Sequence, residues 1–276
     1  MATLFGNNVL EAMPPTGTVR IWDAGVTWAD LEKEKGKWDW TKLDKLVADA
    51  GKRSIVMVLG HPPAWAAKGG PDGRQAAWMP AGSNRPPANM TIWRTYISAL
   101  VTRYKGKIQY YQIWNEPADK RFYSGTWEEL ATLVKTAYQT VKKVDPTAKV
   151  VSPPFQPRRQ AGWSTKGQSL LKAMKSVGYP FDVYSMHIYP QQGEGIEGFT
   201  RDCNAVINAL ANCPKKPLWI TETNYNLAGK GNPYPIAAQQ KLKKQTDSLC
   251  NMLDISRCYW YAYHYNNPSL IAITDT

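Results

Sequence analysis

Short apolar runs alternate with helical patterns along the whole chain, and this alternation constrains the fold more than any other feature. Thr18 to Asp23, Ser54 to Gly60, Gln109 to Ile113, Lys149 to Ser152, Asp182 to His187, Pro217 to Thr221 and Arg257 to Tyr263 read as strands, with Leu4 to Val9 as an earlier one. Ser54 to Leu59 is apolar throughout, as a strand covered on both faces must be. Helical spacing lies between the strands. Thr41 to Ala50 puts Leu43, Leu46, Val47 and Ala50 on one face and stops at Gly51. Thr91 to Tyr104, Leu170 to Val177 and Ile236 to Leu253 are further helices, and Thr126 with Glu129 has the form of a capping box that opens another. Strand and helix in alternation predict an α/β fold with a parallel sheet. The 276 residues are close to the about 250 of one (β/α)8 TIM barrel. The expectation is a single barrel over residues 1–276 that lacks its last helix, since no helical pattern follows the eighth strand.

No run reaches the roughly 18 apolar residues of a membrane span. The first residues carry no basic start or long apolar stretch, so no signal peptide is visible. The four cysteines fall in two close pairs, Cys203 with Cys213 and Cys250 with Cys258. Such spacing suits local disulfides and an oxidising compartment, the alternative being four buried thiols in a reducing one. The formal charge of +12 suits an acidic polysaccharide or a cell surface, but a solvated, lysine-rich surface is the favoured reading, because the lysines are spread over several helices and form no single stripe. No motif for reading nucleic acid is present.

Barrel chemistry gathers at the C-terminal ends of the strands. His61, His187 and His264 all fall at or just beyond such ends, as do Trp22, Trp65, Tyr189, Trp260 and Tyr263, whereas Lys52, Lys107, Lys149 and Lys216 adjoin the opposite ends. That segregation disfavours a Schiff-base lysine. The three histidines sit on separate strands without metal-ligand spacing, so no metal or cofactor is expected. Glu116 and Glu222 each close a strand, 106 residues apart. Two carboxylic acids at one end of a barrel are what glycoside hydrolysis requires.

Trp114-Asn115-Glu116-Pro117 resembles the Asn-Glu-Pro signature of clan A glycoside hydrolases, which are retaining (β/α)8 enzymes. Arg20-Ile21-Trp22-Asp23, Trp38-Asp39-Trp40 and Leu59-Gly60-His61-Pro62-Pro63-Ala64-Trp65 resemble family 39 and its relatives. The resemblance implies Glu116 as acid/base and Glu222 as nucleophile. It implies Asn115 on the sugar 2-hydroxyl, and a Tyr189 that holds Glu222 as the anion within a His187-x-Tyr189 pattern. Arg20 is a charge in an apolar strand and needs a buried partner, either Glu222 or a carboxylate such as Asp23. His61 either touches sugar hydroxyls or caps its loop. Trp65, Trp260 and Tyr263 are candidate sugar platforms. Relatives often carry Tyr-Ala-Trp on the eighth strand, where this chain has Tyr261-Ala262-Tyr263, so the platform is expected to pass to Trp260.

The expected function is that of a secreted or cell-surface, monomeric retaining β-glycosidase acting endo on a polysaccharide or oligosaccharide, including an anionic one. An exo-acting β-xylosidase-like hydrolase and a non-catalytic glycan-binding barrel remain open. So does a phosphate-binding barrel using Gly229-Lys230-Gly231. Specificity is expected from the loops Gly69 to Pro87, Gln156 to Trp163 and Gln191 to Gly198.

Overall fold

The computed structural model describes residues 2–5, 17–70, 76–157, 163–191, 193–225 and 236–261. Strands β1 (Ala2–Phe5), β2 (Thr18–Asp23), β3 (Ser54–Leu59), β4 (Tyr110–Ile113), β5 (Lys149–Phe155), β6 (Val183–Ile188), β7 (Leu218–Thr223) and β8 (Ile255–Tyr261) form a closed barrel in chain order. All pairs are parallel, and β1 closes the ring by pairing with β8 as well as β2. Helices α1 (Trp28–Leu31), α2 (Thr41–Ala50), α3 (Met90–Arg103), α4 (Trp127–Val144), α5 (Trp163–Ser176), α6 (Gly195–Leu210) and α7 (Ile236–Met252) fill the connections.

Most elements lie where the patterns put them. The Thr126–Glu129 capping box forms at the start of α4, each residue satisfying the other's free backbone donor. Helix α6 was not anticipated. Its first turn holds Gly195 and Gly198, which disguise the stripe of Phe199, Cys203 and Val206 that it buries. Strand β5 extends three residues past Ser152, through Pro153 and Pro154. The prolines cannot donate to a ladder, and the β5–β6 register shifts between Val151 and Pro154. The run from Leu4 to Val9 is a strand only as far as Phe5, with residues 6–16 outside the described chain. The expected missing eighth helix would fall in 262–276, also outside it.

A large outer core, an apolar barrel floor and a polar layer above that floor organise the described residues. The large outer core packs strands against helices, with Trp28, Trp93 and Tyr96 in mutual ring contact. The barrel floor holds Val56, Val151, Val183, Trp219 and Tyr259. There the Arg257 guanidinium lies 4.4 Å from both the Tyr110 and Trp219 rings. Above the floor is a hydrogen-bonded layer in which Gln112 Nε2 donates to Ser185 Oγ and Thr221 Oγ1, each at 3.0 Å.

All four cysteines are free, so the expected disulfides are absent from this structure. Cys203 lies in the core on α6, away from a bond to Cys213, while Cys250 and Cys258 meet only through a thiol hydrogen bond. Among the described residues no helix is long and apolar enough to cross a membrane.

Candidate active site

Three backbone irregularities bring the chemical groups together at the C-terminal mouth of the barrel. Trp114 (φ 64°) and Glu116 (φ 42°), just past β4, both adopt left-handed conformations. Such strain in non-glycine residues persists only where the surroundings over-determine it, and it concentrates at functional sites. Trp114 is clamped: its backbone N–H donates to Leu59 O at 2.7 Å and its indole to Phe122 O at 2.8 Å. Gly60 (φ 140°) makes room for it, because a Cβ there would stand 2.8 Å from the Trp114 ring. The third irregularity is on β7. Met186 pairs with Ile220, but the next residue, His187, pairs with Glu222. One extra residue on β7 is a β-bulge, which re-aims a side chain. Trp219 already faces the barrel interior and Ile220 the outer core. Simple alternation would turn Glu222 outward, and the bulge turns it in.

Arg20, with no exposed surface, is the hub. Its Nε donates to Gln112 Oε1 at 2.7 Å, its Nη2 to Asn115 Oδ1 at 2.6 Å and its Nη1 to Glu222 Oε2 at 2.9 Å. The expected Arg20–Glu222 pair therefore forms. Tyr189 donates to Glu222 Oε1 at 2.5 Å, so both oxygens of Glu222 accept hydrogen bonds. His187 Nδ1 lies 3.0 Å from Glu116 Oε1 and 3.8 Å from Glu222 Oε2. One oxygen of each glutamate and a nitrogen of His187 all lie within 4.8 Å of one another. Such a trio has the spacing of a metal site. Here the Arg20 guanidinium already supplies the positive charge at Glu222, so the trio offers a hard cation little net negative field.

His61 (φ 59°) donates from Nδ1 to Ser83 O at 3.2 Å, while its Nε2 has no partner among the described residues. Burial pushes its pKa down to about 3, so the ring is neutral and Nε2 presents a lone pair. Trp22 packs against His61 at 4.6 Å between ring centroids, and His61 against Trp114 at 4.9 Å.

Two expected platforms lie elsewhere. Trp65 donates its indole N–H to Glu32 O and packs edge-on against Trp28, on the outer side of the barrel. Trp260 is buried in the outer core beside Tyr225. On β8, Tyr259 faces the interior floor and Trp260 the helices, so Tyr261 is the residue that returns to the mouth. Its hydroxyl donates to Asp23 Oδ2 at 2.7 Å, and Asp23 Oδ1 has no partner among the described residues. Counting by two along β8 from the apolar floor was the available signal for Tyr261. Tyr263, His264 and Gly229-Lys230-Gly231 lie outside the described residues. Trp78 also escaped notice. It is 57% exposed at the rim, 5.9 Å from the Trp22 ring and 6.3 Å from Phe122, within the loop after β3 that was expected to carry specificity.

Among proteins of known kind, endo-1,4-beta-xylanase C of Phanerodontia chrysosporium is 24% identical over 188 residues, covering 66% of this chain and 43% of that protein. The chain thus spans less than half the length of that relative. A GH10 structure from Paenibacillus barcinonensis shares the fold with a TM-score of 0.63 at 16% identity, over 95% of this chain and 82% of that one. A family 39 glycoside hydrolase from Bacteroides cellulosilyticus WH2 does so with a TM-score of 0.67 at 17% identity, over 96% and 55%. The motifs pointed to clan A and to family 39 with its relatives, and a family 39 structure is among these folds; family 10 was not singled out from the motifs. The profile of Glycosyl hydrolase family 10 matches residues 23–260, which include both glutamates, and the chain belongs to that family.

Proposed function

We propose that the protein is a retaining endo-glycoside hydrolase that cleaves β-1,4-linked polysaccharide of the xylan type. One observation carries this: Glu116 and Glu222 present carboxylate oxygens within 4.8 Å of each other at the barrel mouth. Retaining enzymes hold their carboxyl groups about 5–5.5 Å apart, leaving no room for a water between nucleophile and sugar. Glu222 attacks the anomeric carbon while Glu116 passes its proton to the departing glycosidic oxygen. The resulting glycosyl ester on Glu222 is then opened by water, whose proton Glu116 takes back.

The surroundings divide the roles. Glu222 accepts from Arg20 and Tyr189, so both of its oxygens are held and aimed, as a nucleophile requires. Glu116 has its Oε1 3.0 Å from His187 Nδ1, a contact that orients the acid/base carboxyl at the mouth. Asn115 has its Oδ1 engaged by Arg20, so its amide N–H remains to donate to a sugar hydroxyl. His61 Nε2 accepts from another hydroxyl. The xylan assignment rests on the named relatives. A polymer of that size is met outside the cell, so the protein acts there, as a monomer whose site is completed by its own strands. The net charge of +12 favours glucuronate-bearing chains.

The test is product analysis on a panel of neutral and acidic polysaccharides, with Glu222→Gln as control and the anomeric configuration of the first product followed by NMR. Mixed-length oligosaccharides born in the β configuration, absent with the variant, are expected. Monosaccharide alone, or an α-configured first product, would refute endo or retaining action respectively.

A further inference from the structure

Gln156 follows the last residue of β5 and is only 6% exposed, yet neither its Oε1 nor its Nε2 has a hydrogen-bond partner among the described residues. Buried carboxamides are almost always satisfied, and one without partners is a standing cost to the fold. Such a violation of local consistency is expected where a ligand supplies the missing bonds.

Strand register fixes where this side chain points. On β6, Ser185 and His187 face the barrel interior, and Met186 packs into the outer core. On β5, Phe155 pairs with Met186 and packs into that same outer core. Gln156 comes next, so alternation turns it inward at the level of His187. Strand β5 lies between β4, which leads into Glu116, and β6, which carries His187. Those two side chains are joined at 3.0 Å. The carboxamide therefore stands on the acid's flank of the mouth, apart from Asp23, which ends β2, and His61, which follows β3.

The group that the acid protonates is the sugar being expelled, and that sugar must occupy the acid's flank. We propose that Gln156 is a specificity-determining residue for the leaving-group sugar, donating from Nε2 to one of its hydroxyls and accepting at Oε1 from the neighbouring one. A carboxamide offers a donor and an acceptor side by side, and a vicinal diol offers the complement, since each hydroxyl does both. The ligand class is an unsubstituted pyranoside: a leaving sugar esterified or branched at either hydroxyl cannot engage both atoms. This assignment rests on the two-glutamate mechanism above.

The experiment compares wild type with Gln156→Met on a β-1,4-xylo-oligosaccharide and on an aryl glycoside of the same glycone, whose nitrophenol leaving group has no diol. Turnover of the aryl glycoside by wild type, and its loss in Glu222→Gln, tests the two-glutamate mechanism separately. For Gln156→Met, kcat/KM on the oligosaccharide should fall about 10- to 100-fold, while the aryl glycoside stays within about twofold. Thermal unfolding supplies a readout that a structural role would move the other way. Replacing an unsatisfied amide by an apolar chain of similar shape should leave Tm unchanged or raise it. Equal losses on both substrates, no loss on either, or a lowered Tm accompanying the loss would overturn the assignment.

Discussion

Asp23 shows how a single residue reports on its surroundings. Burial pushes its pKa up to about 7, Glu222 adds to the rise, and the hydrogen bond from Tyr261 only partly opposes it. The folded pKa is above the ordinary 3.8, so the folded state holds this proton more tightly than the unfolded chain. The associated stability is fully present below about pH 4 and is lost as pH rises through about 7. Asp23→Asn should remove that dependence and gain on the order of a few kcal/mol over wild type at about pH 8 relative to about pH 4. Urea unfolding across that range checks it, and parallel curves for the two proteins would refute it. Tyr189→Phe deletes one of the two side-chain donors on Glu222. A loss of about 10- to 100-fold in kcat is expected with little change in KM, read from steady-state kinetics. The glutamates, Arg20, His187 and Tyr189 were legible in the sequence because each is a polar residue where an apolar strand ends or in its middle. Gln156 and Tyr261 were not, because their significance lies in missing partners and in facing direction, which composition does not carry.

Elements decide facing direction, and here the sequence was least informative. Trp260 looked like a sugar platform because it sits near a strand end, but the pleat of β8 turns it to the helices and gives Tyr261 to the mouth. Glu222 reaches the site only through the bulge on β7, for which no residue in Trp219-Ile220-Thr221-Glu222 is a marker. Helix α6 was hidden by its glycines, whereas α2 and α4 announced themselves through stop and cap residues. Two predictions belong to this scale. Thr126→Ala should cost about 1 kcal/mol through the lost cap on α4, visible as a lower urea midpoint with unchanged kcat. Gly60→Ala forces a Cβ against the Trp114 ring and should cost about 2–4 kcal/mol. It should also lower kcat, since Trp114 leads directly into Glu116; an unchanged kcat would separate the clamp from the chemistry.

Across the whole molecule, stability and chemistry occupy opposite ends of one barrel. The floor is apolar and closed by Arg257 between Tyr110 and Trp219, while the mouth holds strained backbone and polar atoms awaiting partners. Arg257→Ala should therefore lower stability by about 1–3 kcal/mol and leave kcat/KM unchanged below the unfolding transition, which thermal scans and kinetics on the same sample would show. The barrel itself was legible from alternation alone, because a parallel sheet must return through helices and leaves that rhythm in the chain. The Arg20 hub has a temporal consequence. It ties β2 to residues of the β4 end 92 and 95 positions away and to β7 at 202 positions, so no fragment and no half-closed ring contains a working centre. Contacts of such long sequence separation form late. In a refolding experiment, turnover of substrate would then rise with the last docking step rather than with helix content, and the enzyme would time the closure of its own barrel.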